Sequence, residues 1–243
     1  MSAEIDISTA PTTRDRILRA AAALLEREGR DAVSTRAVGT AAGVQAPTLY
    51  RLFGDKAGLL QAVAAYGFES YLVQKHGLDE SDDPVADLRR GWDMHVQFGL
   101  SRPAFYMLMY ADSAPCPAAR EAEAVLLRMV SRVAAAGRLR YSVDRAARLI
   151  HATAMGLVLS LIATPEDDRD LELLTIARDN VLREITVDGE QDPRAASEPG
   201  DAAARTRAVA LRAALRAEPT AALSPAEQAL LGEWLDRIAD DPR

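Results

Sequence analysis

Residues 33–60 read VSTRAVGTAAGVQAPTLYRLFGDKAGLL, and their pattern decides the fold. Val33 precedes Ser34, a helix-capping residue type, and Ala37, Val38 and Ala41 then recur at helical spacing. Gly43 follows, where glycine enters a sharp left-handed turn without steric cost. A second short helix is predicted from about Gln45 to Phe53, with Leu49, Leu52 and Phe53 on its apolar face and Gln45, Thr48 and Arg51 on the other. Helix, glycine turn and short polar-faced helix make a helix-turn-helix, whose second helix lies in the major groove of DNA. A plain helical hairpin in an enzyme core is the alternative, and the flanking sequence argues against it.

Upstream, RDRILRAAAALLEREG predicts a helix that buries Ile17, Leu18, Ala21, Leu24 and Leu25 and stops at Gly29. Thr12 and Asp15, three residues apart, form a capping-box pattern at its start. Residues 14–62 thereby resemble the N-terminal domain of the TetR family of transcriptional regulators. Members of that family have a Thr-rich start to the second helix, a glycine turn, and a Thr-Leu-Tyr-x-x-Phe core in the third. The chain has Ser34-Thr35, Gly43 and Thr48-Leu49-Tyr50-Arg51-Leu52-Phe53, followed by Asp55-Lys56 opening a fourth helix. Pro47 replaces a glycine often found there, which a first-turn position tolerates because its N–H is unpaired in any case. The resemblance covers about a fifth of the chain.

At 243 residues the chain can bury one large core or two modest ones. Apolar residues make up 49% and aromatics only 5%, with alanine and leucine abundant, so an all-α protein is expected. With the resemblance, the expected architecture is an N-terminal three-helix DNA-binding domain joined by a long fourth helix to an α-helical effector-binding and dimerisation domain, with extra C-terminal helices. The divisions fall at a disordered arm (1–12), the DNA-binding domain (13–60), the effector and dimer domain (61–187), a linker (188–201) and a helical extension (202–243). No run of 18 apolar residues exists, so no membrane span is expected, and the first 13 residues hold Glu4 and Asp6 but no basic residue, unlike a signal or transit peptide. The single cysteine, Cys116, offers neither an intrachain disulfide nor a metal site. A cytoplasmic protein without a cofactor is the expectation.

The net charge of −7 divides unevenly. Residues 1–60 carry eight Lys/Arg and seven Asp/Glu, a balance of +1, while the remaining 183 carry 21 and 29, a balance of −8. Steering to DNA depends on the local field, so the acidic surplus elsewhere is compatible with DNA binding without arguing for it.

In the predicted recognition helix, Gln45 can pair bidentately with adenine and the Thr48 methyl can touch a thymine methyl. Arg51 suits a guanine or a phosphate, and Ala46 and Pro47 share the docking face. The resemblance implies that Tyr50 and Lys56 contact backbone phosphates; free N–H groups at the start of the fourth helix favour the same anion. Thr35 and Arg36 would clamp the opposite backbone strand. The alternatives are packing for Tyr50 and solvated surface for Arg36 and Arg51. One such module reads few base pairs, so a homodimer is expected on double-stranded operator DNA of palindromic sequence, its recognition helices about 34 Å apart.

Beyond it, a helix from Lys56 to about Gln74 carries Leu59, Leu60, Val63, Tyr66, Gly67, Tyr71 and Leu72, and Gly77 with the acidic run at 79–84 makes a loop. A helix from Pro84 to about Ser101 aligns Leu88, Trp92, His95, Val96 and Gly99 before Arg102-Pro103 breaks it. A kinked stretch, Ala114-Pro115-Cys116-Pro117, leads to another helix over about Ala118–Ala136. The stretch from Trp92 to Tyr110 holds five of the chain's twelve aromatics and three of its six methionines. Trp92, His95, Phe98, Phe105, Met109 and Tyr110 are candidates to line a pocket for an unidentified small-molecule effector of hydrophobic or aromatic character. Singly, each is also explained as ordinary core.

Residues 144–163 turn strongly apolar after Arg148, with Ala152, Gly156 and Ser160 at four-residue spacing, and residues 170–186 align Leu171, Leu174, Ala177, Val181, Leu182 and Ile185. The resemblance implies that these two helices pair with their copies in a four-helix bundle, at packing angles near about +20°. The candidate interface is Ile150, Ala152, Thr153, Gly156, Leu157, Ser160, Leu174, Ala177 and Val181; a purely intramolecular hairpin is the alternative. After the linker, a weakly amphipathic helix over about 202–217 carries Val209, Arg212 and Leu215, and a second opens with Ser224-Pro225-x-Glu227. Its stripe of Leu230, Leu231, Trp234, Leu235 and Ile238 should be packed on the chain's own effector domain, on a partner subunit or on another protein.

No HExxH, GxSxG, P-loop or dinucleotide fingerprint is present, and His76, His95 and His151 sit on separate segments, so an enzyme is not expected. The sequence favours a ligand-responsive regulator, with a protein-interaction adaptor on the same scaffold as the alternative.

Overall fold

The structure, a computed structural model, describes residues 11–76, 80–110, 117–187 and 199–240. Among the described residues the elements are α-helices, short 3₁₀ turns and one isolated bridge. In chain order the helices are α1 (Thr13–Glu28), α2 (Thr35–Ala42), α3 (Ala46–Phe53), α4 (Lys56–His76), α5 (Pro84–Ser101), α6 (Pro103–Tyr110), α7 (Pro117–Ala135), α8 (Val143–Ala163), α9 (Glu172–Ile185), α10 (Pro199–Ala217) and α11 (Pro225–Asp240). The all-α expectation stands. Two compact units divide them: one runs to Val73 and includes Arg102–Ala119, and the other comprises Gln74–Ser101 and everything from Arg120.

In the first unit, local chemistry sets the helix ends. The Thr12 hydroxyl accepts the Asp15 N–H at 3.1 Å, and the Asp15 carboxylate accepts the Thr12 N–H at 3.1 Å, completing the capping box of α1. Ile17, Leu18, Ala21, Ala22, Leu24 and Leu25 form its buried face. Ser34 caps α2 through the Ala37 N–H at 3.1 Å. Gly43 closes that helix at φ 65° and ψ 39°, the left-handed conformation the turn requires. α4 buries Leu59, Leu60, Val63, Ala64, Phe68 and Tyr71; the apolar pattern had pointed to Tyr66 and omitted Phe68, which is fully enclosed. α6 is a helix that the sequence pattern did not announce, and it packs on α1.

The second unit is built on α8, which contacts α5 and α9, while α5 also reaches α9. Ser142 caps α8 through the Arg145 N–H at 3.3 Å. After α7, Gly137 adopts φ 68°, and the following strand-like residues pair Leu139 with Thr186 beyond α9. Asp87 on α5 is buried and takes hydrogen bonds from Ser81 and from the guanidiniums of Arg90 and Arg132, the latter on α7. Arg132 also donates to the Ser81 carbonyl at 2.8 Å, fastening the segment before α5 to α7. α10 and α11 form an antiparallel hairpin, with Ala208, Val209 and Ala213 of one and Gly232, Leu235 and Ala239 of the other buried.

Several sequence expectations are adjusted. α10 starts at Pro199, so its first turn lies within the stretch read as linker; the rest of that stretch, 188–198, lies outside the described residues, as do most of the N-terminal arm and the kink at 111–116. α8 alone among the described helices is long and apolar enough to cross a bilayer, with mean hydropathy 1.6, although no unbroken run of 18 apolar residues exists. Asp144, Arg145 and Arg148 in its first turns argue against a spanning role. Within the chain, the stripe of α11 divides between two faces. Leu235 faces inward, while Leu230, Trp234 and Ile238 remain 44%, 50% and 46% exposed.

Candidate nucleic-acid interface

α3 is held by one anchor. Leu49 is 2% exposed and lies 3.4 Å from where a Gly39 β-carbon would stand; that β-carbon would also meet the Val44 carbonyl oxygen at 3.0 Å. Gly39 therefore lets α2 and the turn close on α3. With Leu49 turned inward, Gln45, Ala46, Pro47, Tyr50 and Arg51 all face solvent, and Thr48 is half-buried. Gln45 occupies the N-cap position but makes no capping bond with its side chain, which leaves the amide available for other contacts. Pro47 sits in the first turn, as expected. Leu52, assigned to the apolar face, is instead 37% exposed, and Phe53 is half-buried.

The joint between α3 and α4 is fixed by backbone. Gly54 turns the chain at φ 78°, and the Asp55 carboxylate accepts the Gly58 N–H at 2.7 Å, capping α4. A β-carbon at Gly58 would overlap the Phe53 carbonyl oxygen, so only glycine permits this approach. Lys56 is exposed in the first turn of α4, beside unpaired N–H groups that favour an anion. Arg36 is exposed and Thr35 half-buried at the start of α2. Arg14, which the sequence did not single out, places its guanidinium 5.6 Å from the centre of the Phe53 ring. The run of Arg14, Arg16 and Arg19 at the start of α1 was the available signal.

The six effector candidates fall in both units. Trp92, His95 and Phe98 are buried along α5, and Trp92 Nε1 makes no hydrogen bond among the described residues. Phe105 and Met109 are buried on α6, where Tyr110 is half-buried with its ring 4.7 Å from that of Tyr106. Tyr71 and Tyr106 belong to the same unit, though neither was among the six effector candidates; burial pushes both phenols well above their ordinary value, and neighbouring phenols add to it. Phe68 stacks tilted on Tyr71 at 4.7 Å.

Of the dimer candidates, Ala152, Gly156 and Ser160 are exposed on α8, while Thr153 and Leu157 are half-buried and Ile150 is buried. On α9, Leu174 and Ala177 are half-buried and Val181 is buried. Within the chain, then, Ile150 and Val181 belong to the core. The exposed neighbours Leu149, Leu173 and Ile176 stand on the same two helices, and exposed Leu171 is the N-cap of α9.

Residues 17–63 match the family model described as bacterial regulatory proteins, tetR family. No curated protein matches the chain. Among solved structures, a transcription regulator of the tetR family from Shewanella sp. PV-4 is 18% identical, with TM-score 0.58, over 73% of this chain and 100% of that one. A protein of unknown function from Rhodococcus sp. RHA1 is 24% identical, with TM-score 0.60, over 76% and 100%. A fatty acid degradation regulator, FadR, from Bacillus halodurans is 16% identical, with TM-score 0.58, over 72% and 97%. These likenesses speak for the fold, and about a quarter of the chain has no counterpart in them.

Proposed function

We propose that the chain, whose residues 17–63 match the tetR family model, is a regulator of that family and works as a homodimeric, ligand-responsive repressor on a palindromic operator. The observation that carries the DNA-binding part is the single-anchor seating of α3, which turns Gln45, Ala46, Pro47, Tyr50 and Arg51 outward together. Gln45 and Thr48 read base edges, and Tyr50, Arg51, Lys56, Thr35 and Arg36 engage the backbone, with Arg14 as a further phosphate partner. An aromatic left 52% exposed has a reason on a docking face that it lacks on bare surface.

Ligand response is supported in each unit taken by itself: by Trp92 Nε1 in the second, buried without a hydrogen-bond partner among the described residues, and by the group of phenols around Tyr106 in the first. Such polar handles among apolar side chains suit a hydrophobic or aromatic molecule. α6 touches α1, so a ligand that shifts α6 acts directly on the DNA-binding helices. Dimerisation is supported by the uncovered strip of Leu149, Ala152, Gly156 and Ser160 on a helix as apolar as α8. The functional division at 13–60, 61–187 and 202–243 is part of this reading, as is a cytoplasmic location.

The test is a mobility-shift titration on DNA flanking the protein's own gene, at several salt concentrations with unrelated DNA as competitor. Specific, salt-dependent shifts that Thr48→Ala abolishes are expected. Binding no tighter than to competitor across a genome-derived fragment library sinks the repressor reading and favours a protein-interaction adaptor.

A further inference from the structure

α11 has two apolar faces, and its own chain covers one. Gly232, Leu235 and Ala239 face inward in the hairpin, and the Arg212 guanidinium lies across Gly232 to reach Asp236 at 3.3 Å. Leu230, Trp234 and Ile238, four residues apart, form a second line that is roughly half exposed along its length. A tryptophan between two aliphatic residues on a solvent face marks a contact surface.

The C-terminal end of this line lies beside the start of α8. Asp240 ends α11 on the first turn of α8: its carboxylate accepts the Ser142 N–H at 3.0 Å and the Ser142 hydroxyl at 2.6 Å, and its carbonyl accepts from Arg145 at 2.8 Å. Ile238 stands half a turn before Asp240. Leu149 stands one turn after Arg145 and begins the uncovered strip of α8. The two uncovered strips therefore start from one junction. The hairpin is also self-complementary in charge. α10 carries Arg205, Arg207, Arg212 and Arg216 against Asp201, a balance of +3. α11 carries Glu227, Glu233, Asp236 and Asp240 against Arg237, a balance of −3. Arg212 and Asp236 pair within the hairpin, Arg216 pairs with Asp144, and Asp240 is held at Ser142 and Arg145; a two-fold contact would set the net-basic α10 of one copy against the net-acidic α11 of the other beyond these pairs. The acidic α11 is poorly suited to an anionic lipid surface.

We propose that the Leu230–Trp234–Ile238 line of α11 docks on a second copy of this chain, extending the dimer surface of α8 and α9 into the C-terminal hairpin. The proposal rests on the dimer reading given above. The hairpin then adds a clasp to the α8–α9 contact.

The two tryptophans make this measurable on the unaltered protein. Trp92 is 4% exposed and Trp234 50%, so collisional quenching by acrylamide reads Trp234. Quenching is followed over a dilution series alongside sedimentation equilibrium. The proposal expects quenching to fall as the dimer forms, and Trp234→Glu and Leu230→Glu each to weaken dimerisation by about tenfold or more with unchanged helical circular dichroism. A dimer in which Trp234 stays as quenchable as in the monomer, with both variants dimerising normally, overturns this proposal and leaves the α8–α9 dimer standing. Protection of Trp234 that appears only with anionic vesicles also overturns it. A monomer at all concentrations removes the dimer reading itself.

Discussion

Gly67 of α4 lies against the ring of Phe105 of α6 so closely that a β-carbon there would overlap the ring carbons. The absent side chain is what allows α6 to lie on α4, and with it the aromatic group formed by Phe68, Tyr71, Tyr106 and Tyr110.

Gly67→Ala therefore opposes two effects. Alanine favours a helix interior by about 1 kcal/mol over glycine. Overpacking costs about 1–3 kcal/mol, and the second effect should win because an aromatic ring enclosed on all sides has nowhere to go. Thermal melting is expected to show a net loss that Phe105→Leu partly reverses. A rise in melting temperature for Gly67→Ala alone contradicts the contact.

Thr48 and Lys56 should fail differently on DNA. Removing the Lys56 charge, as in Lys56→Gln, should weaken all sequences alike and reduce the slope of log K against log salt by about 0.9. Thr48→Ala should keep the slope and lose discrimination among operator variants, by about 1–3 kcal/mol at the affected base pair. Salt titrations on matched and mismatched fragments separate the two, and identical behaviour rules out the division of roles.

Gly156 meets no other side chain or backbone within 4 Å of the position its β-carbon would take. In an isolated chain Gly156→Ala should stabilise by about 1 kcal/mol, and Gly156→Leu should be tolerated. A loss of the dimer on Gly156→Leu with unchanged helical circular dichroism would then come from the contact with a second molecule. Sedimentation should show the leucine variant dissociating where the parent is dimeric; an undisturbed dimer would exclude Gly156 from the contact.

Burial alone would raise the Asp87 carboxyl, but hydrogen bonds from Ser81 and Arg132 and the charge of Arg90 outweigh it and hold the group at about 2, against an ordinary 3.8. A folded-state value below the unfolded one stabilises the fold above about pH 4, and that contribution fades as pH falls towards about 2. Asp87→Asn should cost about 2 kcal/mol at neutral pH and flatten the acid limb of the stability curve. An acid limb as steep in the variant as in the parent would show that Asp87 does not carry it.

What the sequence made legible was local. Thr12, Ser34 and Gly43 act through hydrogen bonds and dihedral angles within a few residues, so the ends of the first two helices could be read directly. Asp87 was not, because its partner Arg132 lies 45 residues away and no local pattern announces the pair. α6 escaped because an unbroken apolar run after Pro103 has no periodicity to show. The stripe of α11 was visible, but its five apolar residues do not say which of them turn towards α10. For the recognition face, residue types and exposure agree at Gln45, Tyr50 and Arg51, whereas Leu52 was assigned inward on spacing alone.

α1 packs on α2 and also on α6, and this has a genetic consequence. Its inner residues Ile17, Leu18 and Leu25 are buried, and under the proposed function they would support the DNA-docking helices and the effector region of α6 at once. A selection for mutants that ignore the inducer should return substitutions in α1 as well as in the pocket. Those α1 alleles should also shift uninduced expression, whereas pocket alleles leave it alone. Measuring the two phenotypes together would sort the mutants into their helices before any of them was sequenced.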